Sequence, residues 1–192
     1  MRLPVGTAVA AWAVTSACQS LPYPGSDEFE EASTRWSSLE SPTVSIVVVP
    51  GTGNGLVETV KFAQRQELPF LASNGAHGAV TTLGKMASGI EIYFDRPSGV
   101  HIAQDGNTVT IAVTGTCKCV SYLGTALGGG SGWPQGRHGL IADQCESIDI
   151  VPANGILITL NSNSELWRAV KGAGHKLARM CSVVLGQSQL LR

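Results

Sequence analysis

Leu68-Pro69-Phe70-Leu71-Ala72-Ser73-Asn74-Gly75-Ala76-His77-Gly78 is the stretch from which the fold can be read. A short apolar run, expected to be a buried strand over Pro69 to Ala72, ends in a turn of small residues that presents one histidine. Small residues let a backbone approach a ligand closely, and Gly75 and Gly78 can take φ > 0 without strain. A histidine so placed can act as nucleophile, proton carrier or metal ligand. Taken alone, the same turn reads more readily as a tight connection that carries a solvated histidine.

Upstream, the β-branched run Val44-Ser45-Ile46-Val47-Val48-Val49 reads as a buried strand stopped by Pro50. Asn54 is placed to cap a helix from Gly55 to Gln66, with Leu56, Val57, Val60 and Ala63 on one face. Strand, helix and strand within about thirty residues make a βαβ unit with parallel strands and a right-handed crossover. The segment 18–42 reads as a lead-in, polar and acidic from Tyr23 to Pro42, with room for a short helix around Phe29. Before it, Met1-Arg2, the apolar run Leu3 to Ala17 and the small residues Thr15 and Ala17 resemble a secretory signal peptide over 1–17, so the chain is expected to be secreted. The alternative is a buried N-terminal helix; the run is too short for a stable membrane span.

Downstream, short strands take over. Ile90 to Phe94 is one, and Val100 to Ala103 pairs with Thr108 to Val113 across Asp105-Gly106. A second hairpin joins Ile148–Val151 to Ile156–Leu160 around Asn154-Gly155. Ser162 and Glu165 form a capping box for a helix through Leu166, Trp167, Ala169 and Val170, which Gly172 or Gly174 would end. The class is α+β, a βαβ subdomain beside a subdomain with a mixed or antiparallel sheet.

At 192 residues the chain suits one domain, and its 23 glycines cluster at 51–55, 75–78, 124–132 and 172–174, as loops that touch a ligand would. A formal charge of −1 offers no basic footprint, which argues against nucleic acid as a partner. The five cysteines, Cys18, Cys117, Cys119, Cys145 and Cys181, are odd in number and contain neither Cys-x-x-Cys nor zinc spacing, so no metal site is indicated. Cys117 and Cys119 stand too close for an easy mutual disulfide.

Two glycine loops fail their motifs. Gly51-Thr52-Gly53-Asn54-Gly55 follows a strand, but Leu56 occupies the third glycine position of a dinucleotide fingerprint, and no acidic residue ends the next strand. Gly84-Lys85 lacks the spacing of a triphosphate loop, and Met86 replaces its Ser/Thr. Gly128-Gly129-Gly130-Ser131-Gly132 disfavours regular structure. Its free N–H groups suit a pyrophosphate nest, though a flexible surface loop has the same composition.

Together these segments resemble the FAD-binding domain of the para-cresol methylhydroxylase type, in the vanillyl-alcohol-oxidase superfamily, nearest the fungal berberine-bridge-enzyme-like oxidases. The resemblance rests on Trp36-Ser37, Pro50, Pro69-Phe70 leading to Ser73–Gly78, and Thr114-Gly115-Thr116-Cys117. It continues through Leu127–Gly132, Gly136-Arg137-His138-Gly139-Leu140-Ile141-Ala142-Asp143 and Leu166–Gly174. It implies that FAD is covalently attached through His77, and through Cys117 as well in bicovalent members; Cys119 is the rival, and a buried thiol the simpler alternative. It further implies that Ser73, Asn74, Gly75, Ala76 and Gly78, with Gly128, Gly129, Gly130 and Gly132, wrap the FAD pyrophosphate. Gly139, Ile141 and Asp143 would lie along the flavin and adenosine. His138 is read as structural, and His101 is given no role.

The family pattern near His77 is Ser-Gly-Gly-His, from which Ala76 is a mild departure. A turn and helix expected before Thr114 are missing, which implies an internal deletion near 112–114. The domain is expected to end at 175, followed by a divergent tail over 176–192, with the substrate domain absent. In an intact relative a small-molecule substrate would give a hydride to flavin N5, and O₂ would reoxidise the flavin. The resemblance thus implies an FAD-linked oxidase; the alternatives are a secreted flavin-binding remnant without turnover or a non-flavin structural protein. No catalytic residue and no oligomeric state is indicated.

Overall fold

The β-branched run forms the strand Val44–Pro50 (β2), with Val47 and Val48 fully enclosed, as residues suited to a pleated, buried surface should be. It belongs to a computed structural model that describes residues 18–20, 22–78, 80–94, 100–102, 104, 108–111, 122–132 and 135–186. The chain divides into two compact units, Met1–Asp95 and Arg96–Arg192, corresponding to the expected βαβ and sheet subdomains. The leader over 1–17, the deletion near 112–114, the turn at Asp105-Gly106, and both Cys117 and Cys119 lie outside the described residues.

In the first unit, Cys18–Ser20 (β1) runs antiparallel to β2. Asp27–Ser33 (α1) and Gly53–Gln66 (α2) flank β2 in sequence, and Phe70–Ser73 (β3) and Gly89–Tyr93 (β4) complete a sheet of order β1-β2-β4-β3. β2 and β3 are parallel, as the βαβ reading requires, but they do not touch. Both pair with β4, which stands between them.

The helix cap also differs from expectation. Thr52, extended at φ −147, accepts the Gly55 N–H at 3.1 Å on its hydroxyl, so α2 begins at Gly53 and Asn54 already lies inside it. Leu56, Val57, Val60 and Ala63 form the buried face as expected, joined by Thr59 and Phe62. Ser26 caps α1 by accepting from Phe29 N–H at 3.2 Å. Phe29 and Ala32 then pack with Val47, so this part of the lead-in belongs to the fold.

In the second unit, Val100–Ile102 (β5) and Thr108–Ile111 (β6) form one antiparallel pair, and Cys145–Pro152 (β7) and Ile158–Asn161 (β8) the other. The strand pairings of both hairpins stand as read, with the return strand of the second starting at Ile158 and not at Ile156. Ala178–Gly186 (β9) lies between β6 and β7, giving the order β5-β6-β9-β7-β8. Ala178–Gly186, within the stretch read as a divergent tail, is therefore the middle strand of a sheet. Its Val-Val-Leu run suited a strand, but only pairing to two partners distant in sequence reveals its place.

Tyr122–Leu127 (α3), Gln135–His138 (α4) and Trp167–Leu177 (α5) complete this unit. The capping box at Ser162 and Glu165 is displaced. A turn closed by Asn161 and Ser164 precedes α5, with Trp167 N–H donating to the Ser164 carbonyl at 3.0 Å. Helical geometry then breaks at Ala173 (φ −138, ψ 22), between the two glycines expected to end it. Ala126, Leu127, Cys145, Ile148, Ile150, Leu160, Trp167 and Val170 make the core.

Candidate functional site

The His77 turn hangs from the end of β3. Ser73 accepts the Phe94 N–H on its carbonyl at 2.9 Å, and Asn74 Nδ2 donates to the Phe94 carbonyl at 2.5 Å. Neither Gly75 nor Gly78 is left-handed; Ala76 is, at φ +49. That bend carries the chain into His77, which is partly exposed.

The segment after α1 holds the turn from one side. Trp36 N–H donates to the Ala76 carbonyl at 3.3 Å, and the Trp36 and His77 rings lie 5.5 Å apart between centroids, tilted by 45°. Arg35 Nη2 donates to the Gly78 carbonyl at 3.3 Å. Arg35 Nη1 lies 3.8 Å from Glu91 Oε1, which also accepts the Ser73 hydroxyl at 2.5 Å. Glu91 sits in the middle of β4 and is 1% exposed. Burial pushes its carboxyl above the usual glutamate range, while the Ser73 hydrogen bond and the Arg35 charge pull it back. Glu91 Oε2 and Arg35 Nη1 make no hydrogen bond among the described residues.

Sequence reading missed this group. Its signal was a lone acid in the apolar strand Gly-Ile-Glu-Ile-Tyr, which buried surroundings oblige to find a cation or donor.

The second unit carries the glycine loop. Gly128 and Gly129 N–H groups close α3 by donating to the Thr125 and Ala126 carbonyls at 3.1 Å each, so these two are not free for an anion. Gly129 and Gly130 are left-handed at φ +99 and +77. The Gly130 and Gly129 carbonyls accept from Ile141 and Ala142 N–H at 2.9 and 2.8 Å, which joins this loop to the 139–143 segment. A Cβ on Gly130 would lie 2.9 Å from both Ile141 Cβ and Thr125 Cγ2, so no larger residue fits without a shift. The N–H groups of Gly130, Ser131 and Gly132 have no acceptor among the described residues, which narrows the nest to three donors.

Around it, Asp143 Oδ2 accepts the Leu140 N–H at 2.9 Å, and Oδ1 lies 3.8 Å from Lys171 Nζ. Asp143 thus shapes the Ile141–Gln144 turn, and Gly139 N–H donates to the Gln135 carbonyl. Cys145 is a buried thiol pushed up to about 11 by burial, with Lys171 opposing and Asp143 adding to the shift. It stays protonated near neutrality, so it does not compete with Cys117 or Cys119 as a nucleophile.

Ser73, Asn74, Gly75, Ala76, His77 and Gly78 therefore share one turn, and Gly128, Gly129, Gly130, Gly132, Gly139, Ile141 and Asp143 share one loop pair. His77 is a partly exposed imidazole on a small-residue turn of the first unit; in the second unit, the N–H groups of Gly130, Ser131 and Gly132 are of the donor type that can hold an anion. Among the described residues no helix is long and apolar enough to cross a membrane. No group of three or more His, Cys, Asp or Glu among them could hold a metal ion.

No protein-family model matches the chain. It is 55% identical to the FAD-linked oxidoreductase chyH of Penicillium rubens, over 228 aligned positions that take in 95% of this chain and 46% of that protein. It is 52% identical to the FAD-linked oxidoreductase chry5 of Gibberella zeae, over 88% of this chain and 39% of the relative. The first alignment is longer than the 192 residues of the chain, so that relative carries segments without a counterpart here. The chain spans less than half the length of these curated relatives.

Among solved structures, the carbohydrate oxidase of Microdochium nivale matches with a TM-score of 0.83 at 19% identity, covering 93% of this chain and 42% of that one. The xylooligosaccharide oxidase of Myceliophthora thermophila matches at 0.82 and 21%, with the same coverage. The glucooligosaccharide oxidase of Acremonium strictum, described as carrying a 6-S-cysteinyl, 8α-N1-histidyl FAD, matches at 0.79 and 17%, again over 93% and 42%. At these identities the likeness is one of fold.

Proposed function

The chain belongs to the FAD-linked oxidoreductases, and on that premise we propose that it holds FAD covalently through His77, with Cys117 as a second attachment point. The observation that carries this reading is the setting of His77: a partly exposed imidazole on a turn of small residues, directly after left-handed Ala76. The double histidyl and cysteinyl link of the Acremonium strictum enzyme supports the pairing. Gly130, Ser131 and Gly132 would donate their N–H groups to the pyrophosphate, and Gly129 and Gly130 would keep side chains out of its way.

When bound, FAD supplies a two-electron acceptor that dioxygen can reoxidise. His77 binds and orients it and is not the acid or base. By likeness to these relatives, the protein would oxidise a small-molecule substrate in this way, as a secreted enzyme. A flavin-binding remnant without turnover is a second reading that the comparisons do not favour.

Protein expressed with FAD should give a flavin-fluorescent band that survives denaturing electrophoresis. His77→Ala should abolish that band, while His138→Ala and Cys145→Ser should keep it. A colourless protein that takes up no FAD would sink both flavin readings. Peroxide release on a panel of alcohols and sugars then separates oxidase from remnant.

A further inference from the structure

Resting on the reading of His77 as the attachment point, we propose that Arg35, aimed by Glu91, is a positioning residue for that histidine. Glu91 is fixed by β4, where it is flanked by Val47 and Leu71 of the two neighbouring parallel strands. Its Oε1 takes the hydroxyl of Ser73, the first residue of the turn, and faces Arg35 Nη1. The other arm of the same guanidinium reaches the Gly78 carbonyl, just beyond His77. The next residue, Trp36, takes the Ala76 carbonyl just before His77 and sets its ring beside the imidazole.

Two successive residues therefore grip the carbonyls on both sides of His77, and Glu91 ties their side of the grip to the root of the turn. Backbone tethers of this kind hold the imidazole in one place, with its nitrogen aligned to a flavin methyl carbon. Forming that bond would break one C–H and the imidazole N–H, and the two electrons and two protons would pass by way of the flavin to dioxygen, giving hydrogen peroxide. A planar fork can serve a carboxylate and a carbonyl at once, whereas a lysine ammonium is a single point charge. The Arg35 side chain is 7% exposed, so its two arms are held in a fixed geometry.

A merely structural ion pair would be served by any cation, and this separates the two roles. In the full-length chain loaded with FAD, Arg35→Lys should keep the melting temperature close to wild type. Covalent incorporation, followed by in-gel fluorescence over time, should slow by roughly tenfold to a hundredfold. Glu91→Gln, which keeps an acceptor for Ser73 and loses the charge that aims Arg35, should slow it in the same direction. In protein without FAD, amide exchange over 73–78 should rise about tenfold in both variants while α2 keeps its protection.

Wild-type incorporation in Arg35→Lys, or unchanged exchange of the turn in both variants, overturns the proposal. If the wild-type chain itself never acquires covalent FAD, the attachment reading fails on that result. The exchange measurement then decides by itself whether Arg35 orders the turn. Should Arg35→Lys fold poorly, Glu91→Gln carries both measurements.

Discussion

Ala76 holds a left-handed backbone at φ +49 with a Cβ attached, a conformation that costs an L-residue about 1–2 kcal/mol. Replacing it with glycine should raise stability by about 1 kcal/mol, read as a shift of the urea midpoint. Alanine here is thus not the mild departure that its size implies, since the glycine of the family pattern falls on the one strained position of the turn. Cys145 makes the opposite point. With its thiol pushed up to about 11, native alkylation at pH 8 should run roughly a hundredfold slower than at an ordinary thiol, measured site by site by mass spectrometry. His77 was legible because small residues and a histidine follow an apolar strand. Arg35 and Glu91 were not, because 56 positions separate them and only the sheet brings them together.

At the scale of elements, the helix after β2 starts at Thr52 and not at Asn54. Thr52→Ala should therefore cost about 1 kcal/mol, whereas Asn54→Ala should cost little, and paired denaturation curves check both. Either residue type can cap, so sequence alone named the right motif and the wrong oxygen; the extended backbone at Thr52 decides it. The same holds before α5, where Asn161 and Ser164 close the turn that Ser162 and Glu165 were expected to close. Hydrophobic pattern found α2, α5 and the paired strands of both hairpins, whereas α3 and α4 were not expected. Capping positions depend on local φ and ψ, which composition does not carry.

For the whole molecule, parallel strands and hairpins were readable from local pattern, but neighbour relations were not. β4 between β2 and β3, and β9 between β6 and β7, join strands far apart in sequence. Val183 stands opposite both Ile111 and Ile148. Val183→Pro should therefore cost about 3 kcal/mol or more by breaking the middle of the ladder, visible as lost sheet signal in circular dichroism and a lowered melting temperature.

The position of β9 also bears on how the protein is made. Translation delivers β2, β3 and β4 in one early block, so the first unit can bury its core while the ribosome is still at work. The second unit cannot: β6 and β7 leave the exit tunnel with an open slot between them, Thr108 waiting for Gly186. Until that strand emerges, two unpaired edges face the cytosol or the translocation channel, the interval in which a nascent chain most needs a chaperone.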